Sequence, residues 1–240
     1  MKRYRQPLRP PSTCQAVVFD FDGTLFDTTR AIVHSFQRAL QQRGWAPVPA
    51  HQIRTLIGRP LYEMFPRLLP GLTESEVAEL IRLYREAFTP VCVSLSKPMP
   101  GLRACVQALF EHRLHLAIVT SRLVDGARRI LCGFGLEERF VTIVGLEDVR
   151  HPKPDPEPVL VALDRLGVHA SEAVGVGDTV DDLRAYQAAG VFPIAFAPRQ
   201  SDVHRRNLHS VGPVVVLRRL NELPAVLGLR GRRFTDRRRS

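Results

Sequence analysis

Six short apolar runs recur along the chain: "QAVVF" (15–19), "HLAIVT" (115–120), "FVTIVG" (140–145), "AVGVG" (173–177), "FPIAFA" (192–197) and "PVVVL" (213–217). None alternates cleanly between polar and apolar residues, so each suits a strand covered by helices on both faces, and helical patterns between the runs predict a parallel α/β sheet. Right-handed crossovers are expected between its strands. One stretch departs from this rhythm. From about Thr28 to about Leu95 the spacing predicts only helices, over "TRAIVHSFQRALQQRG", "HQIRTLIG", "LYEMFPRLL" and "TESEVAELIRLYREAF". Thr73 and Glu76 read as a capping box opening the last of these, which ends before Pro90. The expected organisation is a sheet core built from residues 14–27 and 96–228, with a four-helix insertion over 28–95 and linkers near residues 26–28 and 94–100. "LNELPAVLGL" reads as a closing amphipathic helix over the sheet.

The chain has 240 residues, 45% of them apolar, and shows no internal repeat, which is the profile of a globular protein able to bury a full core. A formal charge of +10 suggests a polyanionic partner until it is located. Lys2, Arg3, Arg5 and Arg9 lie in residues 1–13, and six arginines with one aspartate lie in 230–240, so these ends account for +9 and the rest is near neutral. Both ends, 1–13 and 229–240, are rich in Pro, Arg and polar residues and are expected to stay unfolded, touching nucleic acid or an acidic surface only weakly. The four cysteines, at 14, 92, 105 and 132, form no CxxC pair, so neither a zinc site nor a disulfide framework is indicated and a reduced, cytoplasmic setting fits. The basic start precedes an apolar stretch too short for a signal peptide, and no run approaches the roughly 18 apolar residues of a membrane span.

In open parallel sheets, ligands gather beyond the carboxyl ends of the strands. After the first run come Asp20, Asp22, Gly23 and Thr24. Two carboxylates about 4 Å apart at an effective dielectric near 20 repel by roughly 4 kcal/mol, so a folded chain tolerates them only with a compensating cation or a raised pKa. An ordinary Asp-Gly turn accounts for Gly23 but not for Asp20. After the second run come Thr120 and Ser121, ahead of a helix expected to begin near Arg122; a hydroxyl there can bind phosphate oxygens, although Ser121 serves equally well as a helix N-cap. After the third, "RHPKPDPEP" presents Lys153 among four prolines, either to a ligand or to solvent. After the fourth come Asp178 and, one helical turn later, Asp182. Acid pair, hydroxyls, lysine and acid pair on successive strand ends together describe an oxygen-lined Mg²⁺ site beside a phosphate pocket, with Asp20, Asp22 and Asp178 as the metal-binding residues.

"DFDGT", "IVTS", "PKPDPEP" and "GVGDTVDD" resemble, in order and spacing, the four motifs of the haloacid dehalogenase superfamily of phosphatases, over about residues 14–228. The resemblance implies a Rossmann-like core, and the helical insertion looks like the C1 cap of the phosphoglycolate phosphatase and β-phosphoglucomutase branch. It further implies that Asp20 attacks phosphorus, that Asp22 protonates the leaving alcohol and then activates water, and that Thr120, Ser121 and Lys153 bind the phosphoryl oxygens. Mg²⁺ would be held by the Asp20 carboxylate, the Asp22 backbone carbonyl and Asp178, with Asp182 orienting them. An aspartate at Asp22 favours phosphate esters over dehalogenation or phosphonate chemistry. Ile32, at the position where mutases carry a histidine, favours hydrolysis. In the cap, "LIGRPL" (56–61) is the expected specificity loop, in which Arg59 pairs with a substrate carboxylate or second phosphate, or is simply solvated. The expected partner is therefore a small phosphomonoester such as phosphoglycolate, with pyrophosphate and a sugar-phosphate mutase reaction as alternatives, acted on by a monomer or homodimer.

Overall fold

The computed structural model describes residues 10–198, 211–212 and 215–229. All the charges of the two basic ends lie in residues 1–9 and 230–240, outside the described residues, and so does the expected disorder of those ends. The central strand is β1 (Ala16–Phe19), whose four residues are all fully buried. It pairs in parallel with β4 (His115–Val119) on one side and β6 (Ala173–Gly177) on the other. Two outer strands, β5 (Thr142–Val144) and β7 (Phe192–Phe196), and an edge strand β8 (Val215–Leu217), complete a parallel sheet in the order β5-β4-β1-β6-β7-β8. The six predicted runs thus supply the six strands, though residues 213–214 of the last run lie outside the described residues. Separate buried clusters line the two faces, one containing Val17 and Phe19 and the other Ala16 and Val18, which is why these strands read as continuous apolar runs.

Four helices follow β1: α1 (Thr29–Gln42), α2 (Ala50–Arg54), α3 (Leu61–Leu68) and α4 (Glu74–Phe88). The Thr73–Glu76 capping box opens α4 as expected. Phe36, Phe65, Tyr84 and Phe88 pack ring against ring between α1, α3 and α4, in a buried cluster continuous with the sheet face that carries Val17 and Phe19. The two connections to the sheet pair with each other, a feature that periodicity did not predict: β2 (Phe26–Asp27) and β3 (Lys97–Pro98) form a two-residue antiparallel ribbon. Strands this short carry no periodic signal.

Helices α5 (Leu102–Glu111), α6 (Val124–Gly133), α7 (Glu157–Leu166) and α8 (Val180–Ala188) are interleaved with the strands of the sheet. The expected closing helix is instead a 3₁₀ turn, Leu220–Glu222, followed by the single turn α9 (Leu223–Val226), whose Pro224 sits in the first turn. Among the described residues, no helix is long and apolar enough to cross a membrane.

Candidate active site

The parallel register brings the ends of β1, β4 and β6 together, and Asp20 leaves β1 with its N–H donated to the Val176 carbonyl of β6 at 2.9 Å. Its side chain is buried. Gly23 then turns back with φ +101°, a conformation that L side chains rarely adopt, and a Cβ there would lie 2.3 Å from Asp178 Oδ2. The residue after Asp22 is therefore glycine because Asp178 occupies that space. A similar close approach holds at Gly177, where a Cβ would fall 2.4 Å from the Cβ of Asp182.

Lys153 reaches into this acidic cluster from the proline-rich loop, its side chain only 4% exposed. It donates to Asp20 Oδ1 at 2.7 Å, Asp182 Oδ1 at 2.5 Å and the Val119 carbonyl at 3.2 Å, which uses all three of its protons. Asp182 is further committed: it closes a capping box at the start of α8, its Oδ2 accepting from the Thr179 N–H at 2.9 Å and the Thr179 hydroxyl at 2.6 Å. Thr24 donates to Asp178 Oδ1 at 2.9 Å. Against these three acids stands one lysine. Burial and the neighbouring Asp182 push the Asp20 carboxyl up to about 7, with Lys153 opposing, and burial with Asp20 and Asp182 raises Asp178 as well. Lys153 moves upward in turn, because Asp182 and Asp20 outweigh the cost of its burial.

Asp20, Asp178 and Asp182 each offer a carboxylate oxygen within 4.8 Å of the others. Asp20 Oδ2 is buried with no hydrogen-bond partner, a position whose desolvation goes uncompensated by the protein. Hard oxygen donors, an excess of negative charge and an orphaned carboxylate oxygen fit a divalent cation. Because every oxygen of Asp182 is already used, the residues fitted to hold it are Asp20 and Asp178.

The Asp22 side chain stands apart from that cluster. Arg122 grips it with two donors, Nε to Oδ2 at 2.7 Å and a second nitrogen to Oδ1, while the Thr28 hydroxyl also bonds to Oδ1. The repulsion expected between Asp20 and Asp22 is thus met by two different cations, Lys153 for the first and Arg122 for the second. Sequence reasoning missed Arg122 in this role and Thr28 altogether. The signal for Arg122 is an arginine directly after Thr120-Ser121, where the spacing predicts a helix start; α6 begins instead at Val124, with Leu123 as its N-cap. Thr120 is buried at the end of β4 and its hydroxyl accepts from the Arg122 N–H at 3.3 Å. Ser121 does not cap α6; it lines a cavity beneath the helical insertion.

Arg59 reaches the seam between insertion and sheet. Its guanidinium pairs with Glu63 at 3.2 Å and with Asp181 on α8 at 3.7 Å, and the residue lines the cavities on both sides of that seam.

Residues 17–196 match the family described as haloacid dehalogenase-like hydrolase. Among similar proteins, Pyrophosphatase PpaX from Halalkalibacterium halodurans is 34% identical over 218 residues, covering 90% of this chain and 98% of that protein. Phosphoglycolate phosphatase from Xylella fastidiosa is 32% identical over 177 residues, covering 74% of this chain and 77% of that one. The crystal structure of CbbY from Rhodobacter sphaeroides in complex with phosphate superposes with a TM-score of 0.77 at 23% identity, covering 90% of this chain and all of that one, and shares its fold. The chain belongs to the haloacid dehalogenase-like hydrolases, as an enzyme of their phosphatase branch.

Proposed function

We propose that this enzyme hydrolyses a small phosphomonoester with Mg²⁺ as cofactor and Asp20 as nucleophile. The observation that carries the reading is Asp20 Oδ2, a buried carboxylate oxygen without a partner, beside Asp178 and at the convergence of three strand ends. Mg²⁺ held by Asp20, Asp178 and the backbone carbonyl of Asp22 would supply the positive charge that lets a phosphate dianion approach these acids.

Asp20 attacks phosphorus, forming an oxygen–phosphorus bond as the bond to the leaving alcohol breaks. Asp22 gives its proton to the departing oxygen, and as a carboxylate it then takes a proton from the water that attacks the phosphoaspartate, so both acids return to their starting states. Arg122 steadies the carboxylate form of Asp22 between these two transfers. Lys153 holds Asp20 in place and neutralises charge, exchanging its bond to the Val119 carbonyl for a phosphoryl oxygen, and the Thr120 hydroxyl is a second ligand for that group. Asp182 orients Lys153. Helices α1–α4, over residues 28–95, act as a cap that excludes water. Ile32 is buried and His34 is exposed, so the cap offers no imidazole where a mutase would need one, and water is the final acceptor.

A phosphate-release assay over small phosphomonoesters tests this. Turnover with Mg²⁺ is expected, with loss of it on adding EDTA or in Asp20→Asn. A purified, folded protein that releases phosphate from none of them with Mg²⁺ present overturns the reading. The names of the relatives make phosphoglycolate and pyrophosphate the reference substrates.

A further inference from the structure

A cavity of about 170 Å³ lies between the helical insertion and the sheet, and Asp22 lines it. Its apolar walls include Ile32, Ile57, Met64, Ile81, Tyr84 and Phe88. Arg122, whose two bonds hold Asp22, also lines it, and Asp22 borders both this cavity and a polar cleft on its other side. Any leaving oxygen that receives a proton from Asp22 must sit within hydrogen-bond reach of it, with the cavity open to the remainder of the leaving group.

Both reference substrates place a second negative charge in that position, a carboxylate or a phosphate. Such a group needs an unengaged cation. Arg122 is committed to Asp22, Arg129 to Asp125 at 2.7 Å, and Arg59 to Glu63 and Asp181. Among the described residues lining the cavity, Arg85 alone is a cation for which no ion pair with a carboxylate is seen, and it is exposed. On the other side of Asp22 the polar cleft mixes Asp27, Asp178 and Asp181 with Arg54 and Arg59. The volume is informative too: a dry cavity of about 150 Å³ lined by Leu, Ile and Phe takes up benzene.

Resting on the phosphatase reading above, we infer that the preferred substrate is the phosphate ester of an uncharged, ring-sized apolar alcohol. Hydrolysis cleaves its bond between phosphorus and the alcohol oxygen, with water supplying the hydroxyl of inorganic phosphate and the proton of the released alcohol. Recognition comes from burying the ring against the cap, not from a charge pair.

The test compares benzyl phosphate, phosphoglycolate, pyrophosphate and acetyl phosphate as substrates of the full chain with Mg²⁺. Benzyl phosphate is the suitable probe because its alcohol is not an activated leaving group, so a preference reports binding. Its kcat/KM is expected to exceed those of phosphoglycolate and pyrophosphate at least tenfold, and benzyl alcohol is expected to inhibit competitively where glycolate does not. Ile81→Asp is expected to raise KM for benzyl phosphate at least tenfold, with a smaller effect on its kcat. Should Ile81→Asp fail to fold, the wild-type substrate ratios and alcohol inhibition decide alone. Equal or better turnover of phosphoglycolate or pyrophosphate overturns the inference and leaves the phosphatase reading intact, and loss of that turnover in Arg85→Ala would identify the cation responsible. Absence of phosphate release from all four, acetyl phosphate included, removes the phosphatase reading and the inference with it.

Discussion

Arg122 clamps Asp22 across one hundred positions of sequence, and its guanidinium lies over Phe21 of the sheet core at 5.4 Å and Phe88 of helix α4 at 4.9 Å. One side chain therefore ties Asp22, the proposed acid–base residue, to both parts of the molecule. The arginine and aspartate side chains are only 13% and 10% exposed, so neither charge has water to fall back on.

Removing one partner of a pair this buried leaves the other uncompensated. Arg122→Met is expected to cost about 3 kcal/mol in urea unfolding. Adding Asp22→Asn to that variant should recover a large part of the loss, and a double-mutant cycle measures the coupling. Additive effects would show that the pair does not act as a unit.

Mg²⁺ should stabilise the fold through Asp20 and Asp178. At a free concentration one hundred times its dissociation constant, the gain is about 2.7 kcal/mol, visible as a rise in Tm. Asp178→Asn is expected to abolish that rise while the metal-free protein stays folded, because the change removes one of the mutually repelling acids. An unchanged Mg²⁺ response in Asp178→Asn places the ion elsewhere.

Gly23→Ala puts a Cβ where Asp178 Oδ2 now stands and forces a side chain onto a backbone with φ +101°. A loss of at least about 1 kcal/mol in stability is expected. Turnover should drop more than tenfold, since the displaced group is the proposed metal ligand. Thermal melts and phosphate release read the two effects separately.

Asp148 offers a pH dependence away from the site. Although burial opposes it, the bond from Arg165 at 2.7 Å and the Gly145 N–H hold its carboxyl below the ordinary aspartate value. An acid with a depressed folded pKa contributes stability above its unfolded value of about 3.9 and loses it as pH falls through the folded one. With Arg165 partly exposed, the contribution is about 1 kcal/mol or less. Asp148→Asn should thus be less stable than the wild type at pH 7, with the difference closing below about pH 4. Equal stability at pH 7 would show the pair to be idle.

Much of this protein was legible in its residues. Six apolar runs specify six strands because a strand buried on both faces needs an unbroken apolar sequence, and Thr73 with Glu76 marks the start of α4 because the two side chains satisfy local backbone groups within one turn. Asp20, Lys153, Asp178 and Asp182 could be proposed together because the strand ends of a parallel sheet converge. The pairing of charges could not be read in this way. Asp22 looked like a partner of Asp20, yet its side chain is held by Arg122, and Arg59 of the insertion meets Glu63 of α3 and Asp181 of α8. The ribbon of Phe26–Asp27 with Lys97–Pro98 likewise joins segments about seventy residues apart. Periodicity reports which face of an element is buried, a local property of the chain. Which cation meets which carboxylate depends on where distant backbone segments come to rest, and only the packed structure sets that.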